Sequence, residues 1–264
     1  MRRIVWSLLL WACAVPAQAT LWRVVTNDFP PYVGADLPQQ GFYAALIRRV
    51  LAEQSLQMEL HYQPPARVRV SILEGQFDAA FPLLRTTERE RDLVFSDPLL
   101  SVRSYLFVRA DSTITGLADL PGKRSCHLQG SNQPVPVQRM VDDGIVKIER
   151  VAHTPQCFEM LARGRVDFVA LSDYAGWAGA RQSTAGLSAF KTVGGPIAYG
   201  YLHLVWPRQD PRAQARAADF NRVLADLRRR GVVKELEQTL LPSLPEDPDQ
   251  PPTKPVKAPA ERGR

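Results

Sequence analysis

The feature that most constrains this chain is a short unit that occurs twice. Ile72-Leu73-Glu74-Gly75-Gln76-Phe77-Asp78-Ala79-Ala80 returns about 90 residues later as Met160-Leu161-Ala162-Arg163-Gly164-Arg165-Val166-Asp167-Phe168. Each copy reads as a helix end, a glycine that stops it, and an aspartate that opens an apolar strand. Around the two copies, short apolar runs alternate with amphipathic segments, the pattern of an α/β fold. Residues 21–26 predict a strand, and Phe42, Leu46, Ile47, Val50 and Leu51 line one face of a helix. A strand over 58–62, a short helix over 67–73 and a strand over 78–83 follow. Near the end, Phe220, Val223, Leu224 and Leu227 share one face of a helix over 213–230, stopped by Gly231, with a shorter helix over 232–241.

Two similar units need two lobes, and two breaks in the pattern say how the chain visits them. One is the polar stretch 111–123; the other combines Gly194-Gly195-Pro196 with Tyr199-Gly200-Tyr201. Two breaks imply two crossings, so residues 20–107 and 201–241 form lobe 1 and residues 108–200 form lobe 2. Residues 242–264 hold seven prolines, mixed charges and almost nothing to bury, and are expected to be disordered.

The first residues carry an address. Arg2 and Arg3 precede an apolar run over 4–15, and Pro16 stands ahead of Ala17-Gln18-Ala19. That is the layout of a signal peptide over 1–19, cleaved after Ala19, and it predicts a periplasmic chain with no membrane insertion once processed. The apolar run is far short of the ~20 residues a spanning helix needs. A lipoprotein would use Cys13, but Trp11 is bulky for that processing site. Removing the leader leaves Cys126 and Cys157, which are either a disulfide or two buried thiols. As a disulfide they would close a loop of roughly 30 residues worth ~3 kcal/mol.

A net charge of +6 raises the question of nucleic acid, but the cations are scattered among acids and no dense Lys/Arg run appears. His61, His127, His153 and His203 show no ligand spacing for a metal. There is no Gly-x-Ser-x-Gly and no phosphate loop, so no cofactor is expected. A monomer that binds a small molecule fits these exclusions.

The order of segments resembles the family 3 bacterial extracellular solute-binding proteins, over residues 21–241. Thr26-Asn27-Asp28-Phe29-Pro30-Pro31-Tyr32 is similar to the family's first strand and Pro-aromatic loop, and Gly41-Phe42 opens the next helix as the family's Gly-Phe does. Gly75-Gln76-Phe77-Asp78 resembles its Gly-x-x-Asp. Thr86-Thr87-Glu88-Arg89 with Phe95-Ser96-Asp97-Pro98 resembles its Thr-x-x-Arg and Phe-Ser-x-Pro. Leu117-Ala118-Asp119-Leu120-Pro121-Gly122-Lys123 looks like the opening of its second lobe. The resemblance implies the type II periplasmic-binding fold, two lobes joined by two crossing strands, with a ligand in the cleft and closure by a hinge. It also implies a partner such as an ABC permease.

What the resemblance implies for the site centres on Arg89, the arginine that forks onto a ligand carboxylate, as planar guanidinium donors do. Thr86 would add a hydroxyl, Phe29 an aromatic face, and Tyr32 packing as much as binding. Arg67 stands where a Pro-Trp-x-Arg subgroup keeps a second cation, with Pro65 in place of the expected aromatic. From lobe 2, Gln129, Gly130, Ser131 and Asn132 read as a strand-to-helix turn whose N–H groups favour an anion. His153 and Thr154 end the following strand. The family's amine-binding aspartate follows the second Gly-x-x-Asp by five positions, which here is Ser172, with Asp173 one later. In family register Asp173 faces away; a bulge would bring it back. One rival reading is a cyclohexadienyl dehydratase-like enzyme on the same scaffold, which needs a proton-transferring acid, with Glu159 and Asp173 as candidates; the other is an orphan sensor receptor with the same binding chemistry.

Overall fold

The computed structural model describes residues 20–131, 133–242 and 244. The expected leader over 1–19, the candidate Asn132 and the Pro-rich tail apart from Pro242 and Leu244 lie outside the described residues. A first run of elements comprises β1 (Thr20–Thr26), α1 (Phe42–Ala52), β2 (Leu56–Tyr62), α2 (Pro65–Leu73) and β3 (Ala79–Leu84). Then come α3 (Thr87–Glu90), β4 (Leu93–Phe95) and β5 (Leu100–Arg109). The run then repeats as β6 (Arg124–Leu128), α4 (Val135–Asp142), β7 (Lys147–Val151), α5 (Thr154–Ala162) and β8 (Phe168–Ser172). The chain finishes with α6 (Asp173–Gln182), β9 (Phe190–Pro207), α7 (Ala213–Arg229) and α8 (Val232–Leu240).

In both runs the first strand pairs in parallel with the second and the third. The repeated Gly-x-x-Asp has a backbone explanation. Asp78 Oδ2 accepts from the Arg23 N–H at 3.0 Å, while its own N–H donates to Arg23 O at 2.8 Å. Asp167 does the same with Arg124, at 2.7 Å and 2.8 Å. A carboxylate therefore satisfies a strand N–H just where each new parallel pairing begins.

All strands join one sheet, ordered β2-β1-β3-β9-β5-β8-β6-β7, with β4 on β9. β5 and β9 run antiparallel from Leu100↔Leu202 to Arg109↔Phe190 and are shared by both halves. β9 pairs with β3 through Leu84↔Leu202, while β5 pairs with β8 from Ser104↔Ser172 to Phe107↔Val169. These two strands are the crossings, so the glycines read as breaks lie inside a strand. The register passes from Ser104↔Ala198 to Leu106↔Val193, and Gly194 and Gly195, at φ 72° and 67°, absorb the additional residues as a bulge. The stretch 111–123 follows β5 and holds one 3-10 turn, Leu117–Asp119.

The apolar side chains separate accordingly. Val24, Phe42, Leu46, Phe81, Trp206 and Phe220 belong to one buried cluster, on which α7 and α8 pack from the C-terminal end. Phe107, Phe158, Leu161, Val169 and Trp177 belong to another. Inside the second cluster Cys126 of β6 and Cys157 of α5 are disulfide-bonded, with Cα atoms 5.4 Å apart.

Candidate functional site

Parallel strands leave their C-terminal ends free, and in open α/β sheets ligands bind there. Both halves place such ends on one cleft. A recess of about 240 Å³ is lined from the first half by Asn27 and Phe29 after β1, by Leu84 at the end of β3, and by Arg89. The second half supplies the counterparts: Leu128 at the end of β6, Gly130 and Ser131 just after it, and Ser172 at the end of β8. Its floor is the crossing pair, through Val102, Ser104, Ala198 and Leu202. The volume is at the small end of ligand pockets, which start near ~300 Å³, and fits a small metabolite. A second recess of about 800 Å³ adjoins it across Phe29, Pro65 and Leu128, and includes Asp28, Gln129, His153 and Thr154.

Phe29 is held by a tight loop. Its N–H donates to Val33 O at 2.8 Å, Tyr32 N–H donates back to Phe29 O at 3.0 Å, and the two rings lie 5.1 Å apart. Gly41 lets the loop sit against α1: at φ 89°, a Cβ there would stand 2.6 Å from Tyr32 O. Tyr32 itself is fully buried and donates its hydroxyl to Ser172 Oγ at 3.0 Å, a bond from one half to the other. The halves also meet at Gly130, where a Cβ would lie 3.1 Å from Ala66 Cβ.

Arg89 sits at the end of the four-residue α3. Thr86 caps that helix, its Oγ1 accepting from the Arg89 N–H at 3.3 Å. The guanidinium donates to Leu84 O at 2.9 Å and forms no ion pair with any described residue. Burial, then the nearby Arg69, draw its pKa below the ordinary arginine value, with Glu88 pulling the other way. This is a cation with unmet demand for a counter-charge. Thr86 does not line either recess; it positions the arginine.

Arg67 is exposed and also lines neither recess, whereas Arg69 does. α2 begins at Pro65, so Pro65, Val68 and Arg69 share one face at i, i+3, i+4 spacing, and Arg67 lies off it. That spacing was present in the sequence and is the signal by which Arg69 was findable. Arg69 is partly compensated, by Glu88 at 2.7 Å and Asp92 at 3.3 Å, and its buried Nε has no hydrogen-bond partner among the described residues.

The second-half turn differs from the expected helix start. α4 begins only at Val135, after Pro134, and Gln129 and Ser131 spend their N–H groups on Val151 O and Leu128 O. Arg150 pins the turn by donating to Leu128 O and Ser131 O, at 3.1 and 2.7 Å. Ser131 lines the smaller recess and Gln129 the larger. Asp173 lines neither. It is buried at the first turn of α6, accepting from Arg103 Nε at 3.1 Å and from the Tyr174 N–H at 2.9 Å. Ser172 takes the place facing the cleft. Glu159, the other candidate acid, accepts from Ser183 Oγ and from the N–H and Oγ1 of Thr184, away from both recesses.

A sheet crossed twice by shared strands, with a cleft between matched strand ends, defines a two-lobed ligand-binding protein. Residues 23–242 match the model of the bacterial extracellular solute-binding proteins, family 3, and the chain belongs to that family. Its fold is similar to that of an ancestral arginine-binding protein bound to arginine, at TM-score 0.73 and 21% identity over 84% of this chain and 99% of that one. It is also similar to a histidine kinase sensor domain related to periplasmic binding proteins, at 0.73 and 19% over 84% and 96%. A third likeness is the GluR0 ligand-binding core from Nostoc punctiforme in complex with L-glutamate, at 0.70 and 20% over 83% and 98%. Comparison with curated protein sequences finds no match. No helix among the described residues is long and apolar enough to cross a membrane.

Proposed function

We propose that this chain is a monomeric periplasmic receptor that captures a small carboxylate-bearing solute in the interlobe cleft and presents it to an ABC permease, without transforming it. The observation that carries this reading is Arg89: half-buried, facing the smaller recess, and without a carboxylate partner among the described residues. A ligand carboxylate accepting its planar donors would supply that partner. Arg69 adds a second positive charge to the same wall, and Phe29 offers a face for ligand atoms. In this reading residues 1–19 are the leader, and Ser131 and Gln129 lie on the closing side. The described members of the related group support a role in uptake: one similar structure is the substrate-binding protein of an amino acid ABC transporter.

A thermal-shift screen of organic acids and amino acids identifies the ligand, because binding to the native state raises its melting temperature. Titration calorimetry on Arg89→Ala then tests the grip. Losing one partner of a desolvated charge pair costs ~2–5 kcal/mol, a roughly thirty- to several-thousand-fold loss of affinity. A variant that binds within about threefold of the wild type removes Arg89 from the role of anchor.

A further inference from the structure

The charges lining the smaller recess are of one sign. Its titratable side chains are Arg69, Arg89, His127 and Tyr199, and among the described residues it is lined by no aspartate and no glutamate. The acids nearby are committed elsewhere. Glu88 and Asp92 hold Arg69 from outside the recess, and Asp173 is paired with Arg103. Asp28 lines only the larger recess, beyond Phe29 and Pro65. The remaining polar groups at the recess are neutral: Asn27, Ser104, Ser131, Gln133 and Ser172. Gln133 is almost wholly buried; its amide nitrogen donates to Ser125 Oγ at 3.3 Å, and its Oε1 has no partner among the described residues, which leaves it free to accept from a neutral ligand hydroxyl.

An α-amino acid seated with its carboxylate on Arg89 would carry its ammonium into this recess, one carbon away. A desolvated ammonium needs an anion or a set of strong acceptors, and here it would meet two arginines on the same wall. We infer that the ligand is a small carboxylate with no α-ammonium group, of the oxo-, hydroxy- or plain-acid class. This rests on the carboxylate-capture reading and narrows it. Neutral acceptors and donors such as Ser172 and Gln133 suit an oxo or hydroxyl group at the position where an amino acid has its charge.

Matched pairs of probes test it on the full chain by titration calorimetry: succinate with aspartate, glutarate and 2-oxoglutarate with glutamate, lactate and pyruvate with alanine. The expected result is at least tenfold tighter binding by the member without the ammonium, in every pair that binds at all. Ser172→Asp, which places a carboxylate at the cleft end of β8, is expected to narrow or reverse that preference. Should this variant fail to fold, the wild-type pairs decide alone. Equal or tighter binding of the amino-acid member overturns the inference and leaves carboxylate capture standing. If no member of any pair binds, carboxylate capture falls, and the inference with it.

Discussion

The second lobe is stapled by Cys126–Cys157, and the stability this supplies can be worked from its place in the chain. The cysteines are 31 residues apart. Loop-closure entropy of −2.1 − 1.5R ln n then gives about 12 cal/mol/K, or about 3.7 kcal/mol at 25 °C, removed from the unfolded ensemble. Both residues are buried among Phe107, Phe158, Leu161 and Trp177, so a Cys126→Ala, Cys157→Ala chain also loses the packing of two sulfur atoms. Reduction leaves the sulfurs in place and isolates the loop contribution. For a chain of this size each kcal/mol moves the melting temperature by ~2–4 °C, so reduction should lower it by roughly 7–15 °C, and the double variant by somewhat more.

The assay is calorimetry on oxidised and reduced protein without ligand, with fluorescence to locate the transition. Trp177 belongs to the stapled cluster, while Trp22 and Trp206 belong to the other. In a Trp22→Phe, Trp206→Phe background the reporter among the described residues is Trp177, and it should record the full shift. Should the lobes unfold separately, only the Trp177 transition moves, since the staple lies wholly within one of them. A shift below about 3 °C in that transition would refute the entropic reasoning.

Two further outcomes follow from the residues that brace the cleft. Burial raises the pKa of Asp173, opposed by the Tyr174 N–H and by Arg103. A raised folded-state pKa means that this group's contribution is greatest below its unfolded pKa and is lost as pH rises through the folded value, so its charge costs stability near neutrality. Arg103→Met removes the opposing cation and should cost about 1–2 kcal/mol at pH 7, discounted because Arg103 is half-exposed, and less at pH 4; equal losses at both pH values in urea titrations would count against the pairing. Gly41→Ala places a Cβ against Tyr32 O at a φ of 89° and should cost about 1–3 kcal/mol in the same titrations, whereas a neutral outcome would show that the Phe29 loop does not depend on that approach.

The fold was legible because its evidence is periodic and local. Gly75-x-x-Asp78 and Gly164-x-x-Asp167 repeat since each lobe needs a helix stop and a carboxylate for one strand N–H, and both needs sit within a few residues. A motif fixes the positions of Phe29 and Arg89, and both line the smaller recess. The candidate site was obscured where helix phase decides the matter: about half a turn of α2 separates Arg67 on the surface from Arg69 on the recess, and the phase is set by where Pro65 starts the helix. Arg150 gave no local sign, because the carbonyls it pins are 19 and 22 positions away. The glycines of β9 stood out as a break, and they lie in one of the two strands shared by both halves. Gly194 and Gly195 do mark irregular backbone, but in a strand shared by two lobes a bulge leaves the pairing on both sides intact.

The two halves repeat one arrangement, and the difference between them is where function is written. At the strand ends of the first half stand Arg69 and Arg89, held by α2 and α3; at the matching ends of the second stand Ser131 and Ser172. Ser172 is already joined to Tyr32 of the first half, so the neutral side is also the one that hydrogen-bonds across the cleft. An anion entering such a cleft meets the two arginines that line its first wall, while the groups that line the second are serines and an amide. The second wall can then choose among anions by shape and hydrogen bonding without repelling any of them. In the proposed receptor, affinity therefore rests with the arginine side and specificity with Ser131, Gln133 and Ser172. Substitutions on the two walls should separate accordingly, the first weakening every carboxylate alike and the second reordering them.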